Sequence, residues 1–233
     1  MTESASATVD PSWKGLYRWG GFLALLVGVL YFAIIALALA MGTPPTGTGA
    51  LLGYYNDNAT LAYGAFGLAI VSDIALAPVV FALYLALRGI NKNAMLVASG
   101  FGGLFLVLDM GVTGTAAITL VNLGQNYAAA ATDIQRTAYL AMADNSLAIV
   151  SAGQHLFSSA VPSLWGLIAS LVMLKGIFSK ATAYVGIAGS IVGLAYVLNI
   201  FVPALTILLP FEIILFGIFF LLAGSKLYGL GKR

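Results

Sequence analysis

Long apolar stretches at about 20–41, 60–87, 93–121, 153–174, 182–202 and 209–228 alternate with short polar links along this chain. Each reaches the ~20 residues a helix needs to cross the hydrocarbon layer, and none shows the two-residue alternation of a barrel strand. The pattern predicts an all-α, polytopic integral membrane bundle of six transmembrane helices. Residues 1–12 are polar and read as a short disordered cytoplasmic tail, which leaves 13–233 as a single transmembrane domain. Residues 123–152 are less apolar and carry Asp133, Arg136 and Asp144. They predict an outward-facing exposed or interfacial helix, opened by Thr132 with Gln135 in capping-box spacing. The alternative is that this segment is the first half of one very long helix running on into 153–174.

Composition supports the membrane reading. Hydrophobic residues make up 61% of the chain and charged residues 8%, against about 25% charged in soluble domains. With no cysteine, disulfides, thiolate metal sites and a cysteine nucleophile are excluded. A net charge of +2 is too small and dispersed to suggest nucleic acid, so position matters more than sum. Lys14 and Arg18 precede the first span, Arg88 and Lys92 separate the second from the third, Lys175 and Lys180 the fourth from the fifth, and Lys226, Lys232 and Arg233 close the chain. Only Arg136 lies on the other side. By the positive-inside rule both termini are cytoplasmic in a cell membrane, and 42–59, 123–152 and 203–208 face outward. Asn58-Ala59-Thr60 in the first of these fits an N-glycosylation acceptor.

Against this apolar background the membrane-embedded acids are expensive, at roughly 2.5 kcal/mol or more each. Counting ~1.5 Å per residue from the nearest basic anchor puts Asp73, Asp109, His155, Asn199 and Glu212 about 21–30 Å away, in the outer half of the membrane or at its rim. Helical phase places Gly102, Thr113 and Ala116 on the face of Asp109, and Tyr84 on that of Asp73. Ser151, His155, Ser158, Pro162 and Gly166 form one polar or small stripe on the fourth span. Asp73, Asp109, His155, Asn199, Glu212, Tyr84 and Thr113 are therefore the candidate ligand-binding residues. Each has a plainer reading. Asp73 and Asp109 can be hydrogen-bonded structural groups, and His155 an interface residue. Glu212, two residues after Pro210, can simply complement a helix dipole. Pro78 and Pro162 predict kinks in the second and fourth spans.

The remaining signals are weak. Gly189-x-x-x-Gly193, with Gly186 and Ser190, fits close helix packing within the chain, in a homo-oligomer or against a membrane protein partner. Tyr54, Tyr55, Tyr184 and Trp165, like Trp13, Tyr17 and Trp19, suit interfacial belts and packing. No HExxH, GxSxG or phosphate-binding loop is visible; no metal site is assigned, although the one histidine with nearby carboxylates could hold zinc or another divalent ion, and the cofactor is unknown.

From about Trp13 to Tyr228 the layout resembles the bacterial and archaeal family of six-helix membrane proteins catalogued as domain of unknown function 4386. The resemblance rests on LYRWGGFLALLVGVLYF, on ALYLALRGINK and on LWGLIASLVMLKGIFSKATAYVGIAGSIVGLAYVLN. That family carries a proline beside the basic residue before its fifth span, where this chain reads Phe178-Ser179-Lys180-Ala181-Thr182. The resemblance implies a fold and a topology but no activity and no functional residues.

Three functions fit these readings. The first is binding or permeation of a small polar solute, cation or proton through an outward-facing acidic cavity near Asp73, Asp109 and His155. The second is an accessory or structural subunit of a membrane protein complex. The third is a membrane-embedded enzyme using His155 and a carboxylate.

Overall fold

The computed structural model describes residues 10–232, and the first nine residues of the expected tail lie outside them. Every long element is helical: α1 (Lys14–Met41), α2 (Thr48–Asp57), α3 (Ala59–Leu108), α4 (Thr115–Ala129), α5 (Asp133–Gly153), α6 (Val161–Met173), α7 (Lys180–Val197) and α8 (Leu208–Leu230). Wide π-helical segments join α3 to α4 (Asp109–Gly114) and α5 to α6 (Gln154–Ala160). Five helical rods are long and apolar enough to cross a membrane. One of them, Ala59–Ala129, has 71 residues, about 106 Å if straight and far beyond a ~30 Å hydrocarbon layer. It folds back at Asn91, whose φ of −152° and ψ of 90° are not helical. The Asn91 side chain accepts the Ala94 amide at 3.0 Å, so the residue that breaks the first rod caps the second. The expected basic turn 88–92 thus shrinks to a single non-helical residue, and helix α3 runs through Pro78 without such a break.

The helices α1, α3, α6, α7 and α8 close a ring, each packed on its neighbours, with α1 and α8 completing the circle. Their shared core includes Tyr17, Leu83, Leu87, Met95, Trp165 and Phe219. Glycines set the closest approaches: a Cβ on Gly21 would lie 2.3 Å from the Tyr228 amide nitrogen, and one on Gly28 would lie 2.9 Å from the Gly217 carbonyl. The small face of α7 is used within the chain too. Gly186 lies against Ser170 and Phe219, and Gly189 against Leu215 and Phe216. Tyr17 is fully buried and so belongs to the core, not to an aromatic belt, whereas Trp13 and Trp19 are exposed.

The segment 123–152 divides: 123–129 end α4, and 133–152 continue into the fourth span. Helices α5 and α6 and the π segment between them form one 41-residue rod, twice the length a membrane needs. Thr132 and Gln135 make the reciprocal capping box expected from their spacing. The distal parts of α4 and α5 pack with α2 around Leu52, Leu120, Leu123 and Ala143, a second core separate from that of the ring. Thr48 donates to Asp144, which fastens α2 to α5. Asn58 sits at the α2–α3 joint with its amide donating to the Tyr54 carbonyl at 3.0 Å, so the glycosylation motif lies in a helical junction and not in an open loop.

The basic residues mark the opposite end. Arg88 pairs with Asp10 at 3.4 Å, which orders residues 10–13 as a short 3-10 turn where a disordered tail was expected. Hydrogen bonds from the Ser12 side chain and amide, with the Arg88 charge nearby, hold the Asp10 carboxyl below its ordinary range. Arg18 and Lys232 both approach the Tyr228 ring, at 6.0 and 4.6 Å. Gly176 abuts Ile90, and Ser179 caps α7 by accepting the Thr182 amide at 3.1 Å.

Candidate functional site

Inside the ring lies a cavity of about 520 Å³. Its walls come from α1, the α1–α2 link, α2, α3, α4, α5, α6, α8 and both π segments, while α7 contributes nothing. Most of the lining is apolar or aromatic, including Tyr31, Phe66, Phe105, Trp165, Phe216 and Phe220. Three carboxyl groups interrupt it: Asp73, Asp109 and Glu212. Among the described residues no lysine, arginine or histidine is on its wall.

Asp73 and Asp109 face one another within hydrogen-bonding reach. Asp73 is 5% exposed, and among the described residues no hydroxyl, amide or cationic group donates to it. Asp109 accepts the Ser158 hydroxyl, a bond that ties one π segment to the other. Two like-charged groups in contact within an apolar wall require a proton or a cation between them. Glu212 is 4% exposed and accepts Ser159 at 2.9 Å and Ser163 at 3.4 Å. It therefore faces the bundle and α6, which supersedes the plainer reading as a dipole complement. Space for it depends on α7, since a Cβ on Gly193 would lie 2.3 Å from Glu212 Oε1.

The two π segments explain where the sequence reading of the faces fails. A π turn bonds residue i to i+5, so the side chains after it are rotated relative to a 3.6-residue period. On the third span Thr113 shares the cavity with Asp109 as expected, but Gly114 and Ala117 line it where Ala116 was expected. On the fourth span the single stripe splits. Gln154, Ser158, Ser159 and Pro162 line the cavity, while His155 turns away from it. The helices touch closely here: a Cβ on Gly153 would lie 2.3 Å from Thr113 Oγ1, a buried hydroxyl without a partner.

His155 and Asn199 form a separate group against α7. Nδ1 of His155 bonds the Ser151 carbonyl at 2.6 Å, Nε2 bonds the Asn199 side chain, and the ring stacks on Tyr196 at 5.2 Å. The Asn199 amide continues to Thr206 at 3.3 Å. Both ring nitrogens are thus engaged, Nδ1 within its own rod and Nε2 across to the turn that follows α7. Tyr84 lies half-buried against the main core and is not on the cavity wall. The structure accordingly unites Asp73, Asp109, Glu212 and Thr113, and separates His155, Asn199 and Tyr84 from them. Sequence reasoning missed Ser159, Gln154 and Tyr31. It also treated Trp165 as packing alone, although this residue lines the cavity, is 2% exposed and has an indole N–H with no partner. Compared with family models, curated proteins and solved structures, the chain matches none of them.

Proposed function

We propose that this chain is a six-span membrane protein, with both termini cytoplasmic, that binds a positively charged solute in its central cavity and admits it from the outer side. The observation that carries the proposal is the cavity itself: three carboxyl groups share one largely apolar chamber with no basic side chain on its wall. An uncompensated carboxylate in such a place is costly, and a bound cation or proton is what offsets that cost. The non-helical residue Asn91 within the 71-residue rod supports reading it as two crossings, which makes six spans in all. Nine of the ten basic residues fall in the tails and links on one side of the proposed spans, which supports this orientation by the positive-inside rule, and the contacts of Arg18, Arg88, Gly176 and Lys232, which draw four chain segments together, are consistent with it. The facing π segments add support, since such turns concentrate where a helix is adapted to function.

The test is native mass spectrometry of gently solubilised protein alongside cation uptake into vesicles, comparing wild type with Asp109→Asn. Loss of a bound or transported cation in the variant, with its folded yield unchanged, supports the reading; identical binding and uptake in both proteins refutes it. Copurification of a stoichiometric polypeptide, with no cation bound, would favour an accessory subunit.

A further inference from the structure

The cavity's chemistry narrows the class of cation, an argument that rests on the binding function proposed above. Among the described residues no three His, Cys, Asp or Glu side chains converge closely enough to hold a metal ion. The carboxyl cluster is therefore poorly suited to a divalent ion, which takes six or more oxygen ligands. The volume of about 520 Å³ falls within the ~300–1,000 Å³ typical of pockets for organic ligands, far above the needs of a bare ion. Asp73 supplies a buried acceptor lacking any protein donor, and Asp109 lies beside it. Phe105, Trp165, Phe216 and Phe220 supply ring surface to the same chamber, which suits a cationic head or the apolar part joined to it.

One part of the wall extends along the seam between α1 and α8. In the basic half of the bundle these helices meet backbone to backbone at Gly21, Gly28, Gly217 and Gly224. Toward the other end, Ile34, Ala38 and Met41 of α1 and Leu209 and Ile213 of α8 all border the cavity. An apolar strip thus leads from the carboxyl pair to the perimeter of the bundle, where exposed Phe32, Leu39 and Phe211 mark a lipid-facing surface.

We infer that the ligand is an amphiphilic amine, a monovalent organic ammonium whose head bridges Asp73 and Asp109 and whose apolar body occupies the aromatic wall and the α1–α8 seam. Trp165 makes this measurable. With Trp13→Phe and Trp19→Phe, it is the only tryptophan left, and its emission in nanodiscs reports on the cavity. The probes are octylamine, octanol with a comparable tail and no charge, methylamine with the charge and no tail, and Mg²⁺. Octylamine should saturate the signal at a concentration about tenfold or more below octanol and methylamine, a margin of ~1.4 kcal/mol. Asp73→Asn with Asp109→Asn should erase its advantage over octanol. If methylamine or Mg²⁺ saturates the signal and octylamine does not, the cation site stands and the amphiphile falls. If octanol equals octylamine, or if no probe saturates, both fall. The wild-type series decides the matter even if the double variant fails to fold.

Discussion

At Gly193 the absence of a side chain is what lets Glu212 lie between α7 and α6. Gly193→Ala would bring a methyl within 2.3 Å of Glu212 Oε1 and 2.2 Å of Ser163 Oγ, with rigid helices on both sides. It should destabilise the bundle by about 1–3 kcal/mol in a detergent unfolding series. Gly103→Ala meets nothing within 4 Å and should be neutral or slightly stabilising, since alanine favours helix over glycine by up to ~1 kcal/mol. Equal losses in the two variants would contradict this packing. His155→Ala should likewise destabilise, because it strands Asn199 and removes the ring stacked on Tyr196, while cation binding persists. Loss of binding at full stability would return His155 to the site. The acids were legible in the sequence because charge is expensive in an apolar run. Ser159 and Trp165 were not, because a serine or tryptophan in a membrane helix is ordinary until its neighbours are known.

The cap at Thr132 and Gln135 followed from pattern, whereas helix lengths did not, since the expected spans run on into longer rods. Replacing Thr132 with alanine should cost the first turn of α5 about 1 kcal/mol, seen as faster amide hydrogen exchange confined to residues near 133–137. Unchanged exchange would mean that packing alone sets this helix end. The internal faces of the long rods were less legible. A regular 3.6-residue period grouped His155 with Ser158, and the π segment Gln154–Ala160 put them on different sides. Nothing in QHLFSSA or DMGVTG announces an i to i+5 turn, which arises from contact between two helices. The bond from Ser158 to Asp109 joins those turns. Ser158→Ala should therefore weaken cation binding by loosening Asp109 while leaving the separate cap of α2, α4 and α5 intact. Unaltered affinity would make the bond incidental.

The whole molecule combines an end where Arg18, Arg88 and Lys232 gather, a closed ring of helices and, at the other end, a cap of α2, α4 and α5 with its own small core. Its general architecture was legible because a hydrocarbon layer admits few solutions for a chain this apolar. The cavity was not, because its walls are assembled from segments up to about 190 residues apart, such as Tyr31 and Phe220. The central claim is that this chamber is acidic and reached from outside. Having no cysteine, the chain allows Ala69→Cys to serve as a unique probe on the cavity wall, one turn from Asp73. The decisive measurement is the labelling rate of that cysteine in oriented membranes by impermeant thiol reagents of opposite charge. The account predicts labelling from the outer side, about tenfold or more faster with the cationic reagent, and loss of that preference when Asp73 and Asp109 become asparagine. Equal rates for the two reagents, or labelling only from the cytoplasmic side, would contradict it.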